Sequence, residues 1–157
     1  MIGVCDGLLG FALLFVVLWD AFETILLAEF WAAHHALLDA PGNGHSIDRA
    51  LRAGRSVGRD EVAAALAMRQ AWQDELAAVF ERVDVLALPT LVGPPPLLAD
   101  ARDFPATHLT APFNLAGVPA LSLPVPGAGP VPPSLQLVGP MGGEEMLCAT
   151  GLLIEAR

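Results

Sequence analysis

A helical period gives way to a strand-like run just past Phe80, and this switch constrains the fold of the chain more than any other feature. Over residues 60–80, Ala65, Met68, Trp72, Leu76 and Val79 recur at three- and four-residue steps, the spacing that gathers apolar side chains on one face of a helix. Asp60 and Glu61 in the first turn suit the positive end of the helix dipole. The run VDVLALPT over residues 83–90 is short, rich in branched side chains and closed by proline, which predicts a buried strand. A proline-rich loop follows at residues 93–96. The text then reads as a short helix or turn and a strand within TAPFNLAGVPALSLPVP (residues 110–126), a Gly/Pro loop, a strand in SLQLVGP (residues 134–140) and a closing helix in GEEMLCATGLLIEA (residues 143–156). Helices alternating with strands favour an α/β layer architecture over an all-helical one.

The N-terminal residues 1–27 are a second, strongly apolar unit, and residues 28–157 are expected to form the rest of one domain. The uncharged run GLLGFALLFVVLW at residues 7–19 lies between Asp6 and Asp20 and falls short of the roughly 20 apolar residues a transmembrane helix needs. Residues 1–27 are therefore expected as an apolar helix that is either buried or membrane-associated. LWDAFETILL, at residues 18–27, resembles the first transmembrane helix of some bacterial potassium-channel-like proteins, but no second span, pore loop or filter sequence follows. No positive stretch precedes the run and no small-residue cleavage site follows it, so a signal peptide is not expected. Residues 28–38 continue with helical character, and GNG at residues 42–44 breaks it. His34 and His35 are adjacent and point about 100° apart on a helix, which suits packing rather than chelation of one metal.

Charge and inventory exclude several chemistries. The net charge of -9, from 17 acidic against 8 basic residues, leaves no basic stripe to neutralise phosphates, so nucleic acid is not an expected partner. Cys5 and Cys148 are the two cysteines and form no CxxC pair, which fits a reducing, cytoplasmic setting and neither a disulfide framework nor a zinc site. No cofactor is expected. Every basic residue apart from the histidines is an arginine, so no step that needs a titratable lysine amine can be run by these residues.

Five stretches occur in a distinctive order: the AEFWAAH helix, LRAGRSVGRDEV with Arg69 following, VDVLALPT, PFNLAGVPALSLP, and LQLVGP before GEEMLCA. Together they resemble the C-terminal region of amidase signature enzymes over residues 28–157. Ser134 departs from the pattern, standing where the family usually has glycine before the leucine-glutamine pair. The resemblance implies part of an α/β/α layered domain from an enzyme that cleaves a carboxamide, or transfers its ammonia, through a serine nucleophile assisted by a cis-bonded second serine and a lysine. It also implies a small-molecule amide as substrate and an N-terminal half that carries the glycine- and serine-rich signature.

Neither that signature nor a lysine has a counterpart in these 157 residues, so no catalytic residue is assigned and the chain alone is expected to be inactive. Serine is a poor nucleophile without a neighbouring base. Ser46, Ser56, Ser122 and Ser134 lie in turn, helix-entry or strand contexts, and a Ser122–His108 pair is the one substitute the inventory offers. The residues expected to be substrate-side, or to shape the motifs, are Thr90, Pro112, Asn114, Gly117, Pro119, Gln136 and Gly139. Asn114 reads as ordering a substrate-side loop or as a turn residue bonding its own backbone. Gly117 and Pro119 fix the turn into the following strand, and Gln136 needs a hydrogen-bond partner if buried. A piece of this kind would leave sheet edges and helix faces uncovered, which predicts association or low solubility. The alternative is a membrane-tethered, non-catalytic interaction module built on such a remnant.

Overall fold

The computed structural model describes residues 8–101, 104–125 and 131–156. Cys5, Asp6 and the start of the apolar N-terminal run lie outside the described residues, as does part of the Gly/Pro loop. Helix α1 (Leu8–His34) runs without a break through Leu27 and Ala28, so the two stretches distinguished in the sequence are one helix. A 3-10 turn (His35–Leu37) ends it, and Gly42 takes a positive φ of 91° in the turn that follows. His34 and His35 each lie beside the ring four residues earlier, His34 at 5.0 Å from Phe30 and His35 at 5.4 Å from Trp31, the i, i+4 spacing of one helix face. Helix α2 (His45–Ser56) folds back on α1. Its Gly54 is buried, and a Cβ there would lie 2.2 Å from the Leu27 carbonyl oxygen, so the absence of a side chain sets how closely the two helices approach.

Helix α3 (Arg59–Phe80) matches the expected span closely, and the Glu61 carboxylate accepts the Gly58 N–H at its start. Ala65 and Leu76 are buried and Trp72 is half-buried against α1 and the helix α4 (Ala111–Ala116). Met68 and Val79, expected on the same stripe, are each 36% exposed. Each stands three residues beyond a contact residue, which turns it about 60° away from the contact line.

Strands β1 (Leu86–Pro89), β2 (Ala120–Pro124) and β3 (Ser134–Val138) form one sheet in the order β1-β3-β2, with both pairings antiparallel. The sequence predicts a fully buried first strand; instead its side chains alternate between half-buried and exposed. It lies at the edge of this sheet, where Pro89 is tolerated because proline cannot donate to a ladder. The central β3 has three buried positions, Gln136, Leu137 and Val138, and β2 has one, Leu123. One sheet face packs Leu123 and Leu137 on Leu147 and Ile154 of helix α5 (Glu144–Glu155). The other packs Val138, Leu86 and Leu88 on Phe113, Leu76 and Phe15, giving helix, sheet, helix layers.

Among the described residues no helix is long and apolar enough to cross a membrane. α1 is interrupted by Asp20, Glu23 and Glu29 and buries Phe15, Leu18, Ala21 and Ile25 within the protein. The hydrophobic effect that a bilayer would supply is supplied here by α3 and α4.

Candidate functional site

Antiparallel register brings three hydroxyls from three strands to one place. Ser122 pairs with Gln136 and Pro124 with Ser134 across β2 and β3, while Leu88 pairs with Gln136 across β1 and β3. Thr90 continues that ladder by donating its backbone N–H to the Ser134 carbonyl at 3.0 Å. Side chains two positions apart share a sheet face, so Thr90, Ser122 and Ser134 all project from the face that carries Gln136. Their oxygens close a triangle with sides of 2.9 Å (Thr90–Ser122), 2.8 Å (Thr90–Ser134) and 2.7 Å (Ser122–Ser134). Ser122 is exposed and the other two are half-buried.

Gln136 sits one step further along this face at 3% exposure and donates its Nε2 hydrogen to the Leu109 carbonyl at 3.1 Å. The partner that a buried amide requires is thus a backbone oxygen at the entry to α4. His108 does not join the hydroxyls in a serine–histidine pair: its ring lies 5.1 Å from that of Trp19 on α1. Ser56 is likewise engaged locally, donating to the Ala53 carbonyl at 2.7 Å.

The remaining expected residues act around α4. Pro112 is buried in its first turn, where a missing N–H costs nothing. Gly117 ends the helix in the left-handed region at φ 76°, a conformation that favours glycine. Pro119 accepts the Gly139 N–H at 3.1 Å, and a Cβ on Gly139 would press on Leu147 at 3.2 Å. These four hold the α4–β2 corner against β3. Asn114 is exposed on the opposite side of α4, lining a pocket of about 140 Å³ with Glu29, Arg69 and Leu115. The structure therefore groups Thr90 with Gln136 and sets Asn114 apart. Ser122 and Ser134 are polar partners that stand outside the expected substrate-side residues; the departure at Ser134 supplies one of the three hydroxyls, but its meeting with Thr90 depends on a strand register that spacing alone does not give. Beside the triangle, Ser134 also borders a cleft of about 430 Å³ walled by Pro89, Leu91, Val92, Pro94 and Pro95.

A model of the amidase family matches residues 40–148. The chain belongs to the amidase family. Its relatives include a glutamyl-tRNA(Gln) amidotransferase subunit from Halobacterium salinarum, 38% identical over 92 residues that make up 55% of this chain and 22% of the relative. The corresponding protein of Thermus thermophilus is 38% identical over 95 residues, 58% of this chain and 20% of the relative. A solved amidase superposes with a TM-score of 0.78 at 30% identity, over 89% of this chain and 35% of its own. A bacterial aryl acylamidase of the amidase signature family shares the fold at TM-score 0.71 and 19% identity, over 90% of this chain and 34% of its own. This amidase-family chain thus spans about a fifth of the curated relatives and about a third of the solved amidase.

Proposed function

We propose that these residues supply the non-nucleophilic part of a carboxamide-processing enzyme, cleaving an amide or transferring its ammonia only together with a segment that brings the serine, cis-serine and lysine machinery. The hydroxyl triangle carries the reading. An activated serine needs a base to take its proton, whereas Ser122, Ser134 and Thr90 hydrogen-bond to one another. The sequence holds no lysine, and His108 packs on Trp19 instead of approaching a serine. Family membership and the superposition on a solved amidase support the reaction class. The amidotransferase relatives, each one subunit of its enzyme by name, favour a multi-chain assembly as the setting.

In this reading Thr90 is substrate-side at the exposed end of the sheet, and Asn114 lines a secondary surface. Gln136, Pro112, Gly117, Pro119 and Gly139 keep the α4–β2 corner in shape. A small-molecule amide is the substrate class, and a cytoplasmic setting suits the cysteine usage.

A serine-directed fluorophosphonate probe tests this. The chain alone is expected to remain unlabelled at Ser122 and Ser134 under conditions that label a complete amidase. Labelling of either serine, abolished by unfolding the protein first, would show an activated nucleophile and overturn the proposal.

A further inference from the structure

Helix α3 presents a second face beyond the one packed on α1 and α4. Gln73, Leu76, Ala77 and Phe80 stand three and four residues apart along it and open onto a cleft of about 440 Å³, which Val118, Pro140 and Met141 close from the other side. Phe80 precedes β1, Val118 precedes β2 and Pro140 follows β3, so the cleft lies at the end of the sheet away from Thr90 and Ser134. Its size falls within the range of about 300–1,000 Å³ typical of small-molecule sites. Leu76 and Ala116 on its wall are buried, while Met141 is 69% exposed and has the unbranched, adaptable side chain that moulds to different apolar shapes.

The polar groups on this wall offer acceptors and one charge. Gln73 donates its Nε2 hydrogen to the Ala116 carbonyl at 2.8 Å; a carbonyl can only accept, so the amide nitrogen must face it, and Oε1 remains available as an acceptor. Among the described residues Glu81 is the one charged side chain lining the cleft, and no ion pair or side-chain hydrogen bond among them holds its exposed carboxylate. Glu81 is also the C-cap of α3, whose last turn carries no basic residue. A carboxylate at the negative end of a helix dipole is unfavourable by itself, and a cation placed there relieves both.

We propose that this cleft binds a small amphiphilic amine, with its ammonium at Glu81 and its apolar body against Leu76, Phe80, Val118 and Met141. Burial of an alkyl or aryl group on that wall supplies affinity, and Glu81 with the carbonyl end of α3 supplies selectivity for positive charge. A carboxylate of the same size meets the reverse field, and an alcohol gains nothing from it. The net charge of -9 acts in the same direction over a longer range. Cleft and hydroxyl triangle lie at opposite ends of the sheet, so binding here is separate from any part the chain plays in amide processing.

The test is an NMR titration of the isotope-labelled full chain, kept below the concentration at which it associates, with n-hexylammonium, n-hexanol and hexanoate as probes of one size. The ammonium probe is expected to give saturable shifts at the backbone amides of Ala77, Phe80, Val118 and Met141, with a Kd on the order of 1 mM. The alcohol is expected to bind there about fivefold more weakly, the ratio given by one partly exposed ion pair, and hexanoate more weakly still. Glu81→Gln should abolish the difference between amine and alcohol while leaving the alcohol's binding unchanged, which a purely structural role for Glu81 would not do. Ala77→Phe, which fills the cleft from an exposed position on α3, should weaken both by at least about tenfold. Unchanged spectra elsewhere show that the variants fold. Absence of saturable shifts, hexanoate binding as tightly as the amine, or an undiminished preference for the amine in Glu81→Gln would each overturn the proposal. Shifts centred on Leu152 and Leu153 of α5 instead of on the cleft would show adsorption to exposed apolar surface and overturn it as well.

Discussion

Trp72 donates its indole N–H to the Pro112 carbonyl at 2.8 Å, and its neighbour Gln73 donates its side-chain amide to the Ala116 carbonyl at 2.8 Å. Two consecutive residues of α3 thereby hold both ends of the six-residue α4. A helix this short leaves its terminal carbonyls without intrahelical partners, and Gln73 satisfies one of them.

Replacing Gln73 by Met keeps the length of the side chain and removes the donor. The expected loss is about 1 kcal/mol, the net worth of one partly buried hydrogen bond. Trp72→Phe should cost more, since it also removes part of a ring that packs near Phe113. Urea denaturation midpoints measure both, and equal stability of Gln73→Met and the parent would contradict the clamp.

Gly54→Ala sets two effects against each other. Alanine favours a helix interior by about 1 kcal/mol over glycine. Here, though, its Cβ would lie 2.2 Å from the Leu27 carbonyl oxygen and 2.9 Å from the Trp31 Cβ, and a backbone oxygen cannot swing aside. Overpacking of this kind costs about 1–3 kcal/mol, and contact with backbone belongs at its upper end. The net expectation is destabilisation by about 1–2 kcal/mol, read as a fall in melting temperature of about 2–4 °C per kcal/mol for a chain of this size. A rise in melting temperature would show that α2 does not rest on α1 as described.

Uncovered apolar surface predicts self-association. Leu152 and Leu153 on α5 are 68% and 70% exposed, and β1 and β2 flank the sheet with no further described strand beside them. Light scattering of the isolated chain is expected to show a concentration-dependent rise in mass, reduced in a Leu152→Glu, Leu153→Lys double variant. A strict monomer across the whole concentration range would contradict the expectation.

Most helix positions and the strand locations are legible in the sequence: the switch near Phe80 places α3 and β1, and the proline and glycine punctuation places α4, β2 and β3, whereas α2 is not among the elements the sequence predicts. Burial is legible less evenly. The stripe on α3 contains Ala65, Trp72 and Leu76, but Met68 and Val79 depend on which neighbours stand beside the helix, and no residue on α3 itself encodes that. Residues on both sides of Leu27 lie in α1, because charge on the solvent side of a helix does not interrupt its hydrogen bonds. Gln136 is readable as a buried polar group in need of a partner; that the partner is Leu109 requires the packing of α4 on the sheet. The triangle is hardest to see because Thr90 and Ser134 are 44 residues apart, and only antiparallel register brings them together.

The most direct test of the account is ammonia release from a panel of primary carboxamides, measured by a coupled assay on the purified chain alone. The account predicts a rate no greater than that with heat-unfolded protein, because among the described residues no serine hydroxyl is hydrogen-bonded to a basic side chain. Turnover by the folded chain that disappears in Ser122→Ala or Ser134→Ala would contradict it, and would place a working nucleophile within the hydroxyl triangle.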